Sequence, residues 1–83
     1  MYLLNEGDIF MFKRIKELRE KNKYSITDIS KYLKMPNPKY ILYENGTLEP
    51  TIAVLSKLAK LYNTSIDYII GDTDEFVPHK KNL

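Results

Sequence analysis

Four short runs of helix-breaking residues cut this chain, and they constrain its fold more than any other feature. They are "NKYS" at 22–25, "KMPNP" at 34–38, "NGTLEP" at 45–50 and "YNTS" at 62–65. Ser25, Thr51 and Ser65 each stand where a hydroxyl caps the first amides of a following helix, and Asp28 completes a capping-box-like pair with Ser25. Asn37 followed by Pro38 reads as a cap and then a first helical residue. Gly46 and Gly71 supply left-handed stops.

Between the breaks, apolar residues recur at helical spacing. Phe12, Ile15 and Leu18, with Ile9 one turn earlier, outline a first helix to about residue 22. Ile26, Ile29, Tyr32 and Leu33 form the apolar side of a second. A third covers about 38–44, and a fourth presents Ile52, Leu55, Leu58, Ala59 and Tyr62. "IDYII" is a short fifth helix, and no repeat or strand-like alternation interrupts the middle of the chain. The expected fold is all-α, a five-helix bundle with short loops. Helices two and three, short and tightly joined, have the layout of a helix-turn-helix.

Composition narrows the function classes. The 83 residues suffice for one small domain. The chain has no cysteine, which removes disulfides, thiolate metal sites and cysteine nucleophiles. No apolar run approaches a membrane span. "MYLLNEGDIF" lacks a basic start and is broken by Asn5-Glu6-Gly7-Asp8, so it makes a poor signal peptide. Net charge is +2 but unevenly spread. Lys13, Arg14, Lys16, Arg19, Lys21, Lys23, Lys31, Lys34 and Lys39 face only Glu17, Glu20 and Asp28 within residues 13–39. That surplus points to a polyanion, or to an ordinary lysine-rich surface.

The order and identity of these residues resemble the lambda-repressor-like, Cro-type helix-turn-helix domain, also called the XRE family. The likeness runs over residues 13–71 without a gap. "RIKELREKN" is similar to the family's first helix, and "YSITDISKYLKM" sits where the family has a segment like LTQEELAELLGV. "YENGTLEPTIAVLSKLAKLYNTSIDYIIGDTD" carries the most specific part, with its YENG, EP, KLAK and DY in register. The resemblance implies a helix-turn-helix domain at 11–71, preceded by an extension at 1–10 and followed by a tail at 72–83. It also implies that the third helix enters the DNA major groove while the second crosses the backbone. Arg19 and Glu44 match an arginine and glutamate that brace the third helix in the family.

Mapped position by position, the resemblance places Ser25, Ile26, Thr27, Asn37, Pro38, Lys39, Ile41, Leu42 and Asn45 against DNA. Ile26 stands where the family often has a phosphate-binding glutamine. Asn37 has two open roles, helix cap or contact to adenine or phosphate. Lys39 is suited to phosphate or guanine. Tyr40 and Tyr43 fall on inward positions. Ile41 and Leu42 occupy outward positions that are usually polar or basic, and Thr47 and Leu48 replace residues that are often basic. The fifth helix and its flank, Tyr68, Ile69, Phe76 and Val77, correspond to a family dimer contact, with packing on the chain's own core as the rival role.

Two functions follow. One is a sequence-specific transcriptional regulator, a repressor binding a short inverted repeat in double-stranded DNA as a homodimer, in the cytoplasm on the nucleoid. The other is a protein-interaction module using the apolar face of helices two and three. No catalytic constellation, metal site or cofactor motif is expected. His79 is a lone tail residue, and Asp72, Asp74 and Glu75 read as a solvated linker.

Overall fold

The computed structural model describes residues 12–76. The 1–10 extension, Val77 and His79 lie outside the described residues. Five helices follow one another: α1 (Lys13–Lys21), α2 (Ile26–Leu33), α3 (Asn37–Glu44), α4 (Ile52–Tyr62) and α5 (Ile66–Ile70). No strand occurs among the described residues. The all-α bundle expected from the spacing of breaks is the fold that forms.

The caps account for the boundaries. The Ser25 hydroxyl accepts from the Asp28 amide at 3.0 Å, and the Ser25 amide donates back to Asp28 Oδ2 at 2.8 Å. Thr51 and Ser65 accept from the amides of Val54 and Tyr68 in the same way. At the other ends, Lys23, Lys34, Asn63 and Gly71 take positive φ just past α1, α2, α4 and α5. Each is flanked by a six-to-one backbone bond, such as Met35 N–H to Ser30 O after α2 and Thr64 N–H to Ala59 O after α4. These bonds satisfy terminal carbonyls and turn the chain sharply.

One boundary departs from expectation. The residue capping α3 is Pro36, with no side-chain cap bond, and Asn37 is already the first helical residue. A proline before the helix holds extended backbone by its ring, so no side-chain cap is needed to break the chain there.

The core draws on every helix. Ile15 and Leu18 of α1, Ile29 and Leu33 of α2, Tyr40 and Tyr43 of α3, Leu55, Leu58 and Ala59 of α4 and Ile69 of α5 are buried together, with Phe12 and Tyr62. Helix α1 packs on both α3 and α5, while α2 pairs with α3 and α4 with α5. Ile52, expected on the apolar face of α4, is instead 71% exposed. It is the first residue of α4.

Candidate nucleic-acid interface

The connection between α2 and α3 is tight because Lys34 adopts a left-handed conformation, φ 59° and ψ 48°. No local pattern in the sequence marks that residue, since the position suits glycine. A side-chain bond then ties the two helices across the turn: Asn37 Nδ2 donates to Thr27 Oγ1 at 2.9 Å. Of the two roles left open for Asn37, capping is therefore ruled out; its amide instead fixes the start of α3 relative to α2.

Beneath α3 lies an ion pair. Arg19 Nε donates to Glu44 Oε2 at 2.6 Å and Nη2 to Oε1 at 3.2 Å. Arg19 Nη1 also reaches the Tyr24 carbonyl, and the Tyr40 hydroxyl donates to Glu44 Oε2. The hydrogen bond to Glu44 raises the Arg19 pKa above its ordinary value. Burial, reinforced by Glu44, pushes the Tyr40 hydroxyl well above the usual tyrosine range. Charge and hydrogen bonding thus hold the C-terminal end of α3 against α1.

The outward side of α3 is apolar. Pro38, Ile41, Leu42 and Asn45 are exposed, while Tyr40 and Tyr43 on the opposite side are buried. Ile41 is 39% and Leu42 36% exposed. Lys39 is exposed beside this stripe. Asn45 Oδ1 accepts the Thr47 amide at 2.9 Å, shaping the loop, and Leu48 N–H donates to Leu42 O at 3.1 Å. Ile41 and Ile26 also line a groove of about 480 Å³ between α1 and the α2–α3 pair, rimmed by Lys13, Lys16 and Glu17. Ser25 and Thr27 are exposed along α2, with hydroxyls engaged by Asp28 and Asn37.

Of the two roles open to the fifth helix and its flank, Ile69 takes the one in the core. Ile69 is fully buried in the chain's own core, so it has no surface to offer a second copy. Tyr68 is covered by Arg14, whose guanidinium carbon lies 4.0 Å from the ring centroid. Arg14 Nη1 donates to the carbonyls of Tyr68, at 2.8 Å, and of Thr73, and Nη2 pairs with Asp74 at 2.7 Å. Phe76 packs edge-on against Tyr68, with centroids 5.2 Å apart, and stays 46% exposed. Asp72, Asp74 and Glu75 are exposed, as a solvated linker would be, while Arg14 ties Thr73 and Asp74 to α1. Arg14 was legible only as one cation among many, because its partners lie 54 to 60 residues away. No group of metal-binding side chains occurs among the described residues.

The helix-turn-helix family model matches residues 15–69, most of the chain. The chain belongs to the XRE helix-turn-helix family. Its relatives are described as transcriptional regulators. This helix-turn-helix chain is 33% identical over 73 residues to the uncharacterized HTH-type transcriptional regulator YobD of Bacillus subtilis, covering 86% of the chain and 65% of YobD. It is 37% identical over 59 residues to the regulator ImmR of the same organism, covering 71% of the chain and 46% of ImmR. It is 25% identical over 67 residues to the cryptic phage CTXphi transcriptional repressor RstR of Vibrio cholerae, covering 81% of the chain and 60% of RstR. The chain thus matches about half to two thirds of the length of these relatives. No solved structure gives a significant match. The family is one of DNA-binding regulators rather than enzymes. Among the described residues, no helix is long and apolar enough to cross a membrane.

Proposed function

We propose that this chain is a sequence-specific, DNA-binding transcriptional regulator, acting as a repressor in the cytoplasm on the nucleoid. The observation that carries the reading is the braced α3, held by Arg19–Glu44 at one end and Asn37–Thr27 at the other, with its free face outward. Ser25, Ile26, Thr27, Pro38, Lys39, Ile41, Leu42 and Asn45 form the contact surface, and Asn37 contributes by setting the angle of α3. Lys13, Lys16, Lys31 and Lys34, all exposed, supply the phosphate contacts that Ile26, Thr47 and Leu48 do not. A homodimer on a short inverted repeat places two copies of α3 one DNA turn apart. Tyr68, Phe76 and Val77 are the proposed dimer contacts, and of the described ones Phe76 is exposed. RstR, one of the relatives, is a transcriptional repressor, which supports repression as the sign of regulation.

Mobility-shift titration against fragments of the native genome tests this. Tight binding to a small set of inverted repeats is expected, with affinity falling steeply between 50 and 200 mM salt as counterions are released. A flat response at low salt overturns it.

A second reading has one observation in its favour. The groove beside α3 carries Ile26 and Ile41 in its lining, among charged residues of α1. A protein partner seated there, an antirepressor or another subunit, would block α3. Ile26→Lys separates the two: it strengthens binding to phosphate and abolishes capture of such a partner.

A further inference from the structure

We infer that α3 discriminates DNA sites through the 5-methyl groups of thymine, held by Ile41 and Leu42. The inference rests on the DNA-binding reading above and adds the chemistry of the sequence it selects.

Positions 38, 41, 42 and 45 share one side of a helix, because they are three and four residues apart. In α3 these are Pro38, Ile41, Leu42 and Asn45, and all four are exposed. The opposite side is committed to the interior: Tyr40 and Tyr43 are buried, and Glu44 is bound to Arg19. The stripe that is free to enter a groove therefore presents three side chains with neither donor nor acceptor. The amide of Asn37, beside the stripe, donates to Thr27, and that of Asn45 accepts the Thr47 N–H.

Major-groove edges offer hydrogen-bonding atoms at every base and one apolar feature, the thymine methyl. Pro38, Ile41 and Leu42 recognise only the latter. A bare apolar surface would equally suit a protein, but the surroundings are cationic. Lys39 flanks the stripe, and Lys31 and Lys34 are exposed on and just after α2; in the adjoining groove Lys13 and Lys16 stand with Glu17 and Glu20, so the surplus of cations lies on the α2 and α3 side. The only acid in α3 is Glu44, held by Arg19. An apolar strip flanked by Lys31, Lys34 and Lys39 complements a methyl-lined groove between phosphate backbones. The selected half-site accordingly carries thymines, on either strand, under Ile41 and Leu42.

The test uses the intact chain and DNA sites that it selects from a random pool. Each thymidine in the selected half-site is replaced in turn by deoxyuridine, which removes only the methyl group. Affinity is expected to fall on the order of fourfold for each methyl buried against the helix. That ratio stays the same at 50 and 200 mM salt, because no phosphate contact changes. In Ile41→Ala and Leu42→Ala proteins the difference between thymine and uracil disappears at the base each side chain covers. The wild-type chain supplies the decisive arm, so the result does not depend on a variant folding. Equal affinity for thymine and uracil forms overturns the methyl inference and leaves DNA binding standing. Failure to enrich any DNA at low salt sinks both, and would turn the same stripe over to a protein partner.

Discussion

Arg19 grips Glu44 through two guanidinium nitrogens, and neither side chain has more than 11% of its surface exposed. A planar fork meeting a carboxylate in this way sets direction as well as charge. Removing one member leaves the other buried without a counter-charge. Arg19→Ala should therefore destabilise the fold by about 3–5 kcal/mol. Arg19→Lys should restore little, because an ammonium cannot reproduce the fork. Urea denaturation monitored by circular dichroism reads both values.

The same network makes the protein sensitive to alkali. Burial, first of all, raises the hydroxyls of Tyr40 and Tyr62 above their ordinary range, with Glu44 adding to it. The folded values lie above the unfolded ones, so the stability they contribute is intact below the unfolded tyrosine pKa of about 10. It is lost as pH rises beyond that, where the unfolded chain releases protons that the folded chain retains. Denaturation midpoints should be level near neutrality and fall above about pH 10. Tyr40→Phe should flatten that fall, while costing about 1 kcal/mol at neutral pH through the lost bond to Glu44.

At the turn into α3, Lys34 holds a left-handed backbone that favours glycine. Lys34→Gly should stabilise the domain by roughly 0.5–1 kcal/mol, the gain being reduced by glycine's freedom in the unfolded chain. It should also weaken DNA binding modestly by removing a cation. A stability measurement paired with a mobility shift separates the two effects, and a loss of stability would contradict the account of the turn.

Asn37 and Thr27 should behave as one unit in DNA binding. If the bond between them positions α3, then Asn37→Ala, Thr27→Val and the double variant lose similar affinity. Additive losses would mean that Asn37 touches DNA on its own account. Lys39→Ala should instead reduce the salt slope by about one ion.

Arg14 gives a prediction about the chain's far end. Arg14→Ala should free residues 73–76, raising amide exchange there while α2 and α3 remain protected. Arg14→Lys should fail to rescue, since one ammonium cannot reach two carbonyls and stack on Tyr68 together.

Much of this was legible in the sequence where the cause is local. Ser25, Thr51 and Ser65 announce helix starts because the cap and its amide sit three residues apart. Tyr40 and Tyr43 read as inward from the family resemblance, since four large apolar residues in a row leave local periodicity unable to choose among them. What was not legible depends on distant partners or on competition. Asn37 looks like a cap until Pro36 takes that place and Thr27 draws the amide away. Ile69 could serve a dimer contact or the chain's own core, and only the assembled fold buries it fully. Asp74 is the solvated acid it reads as, but nothing nearby in sequence names Arg14 as its partner.

The two prolines around Asn37 have a further consequence. A helix start usually offers several amides that can seize a phosphate. Here Pro38 has no N–H to give, and the amides of Lys39 and Tyr40 are turned to the Pro36 carbonyl. Helix α3 thus begins with a blunt, nearly mute tip. In the proposed complex with DNA, its purchase would come from shape and from neighbouring lysines, and its angle of approach would be governed by the scaffold behind it rather than by an anchor at its point.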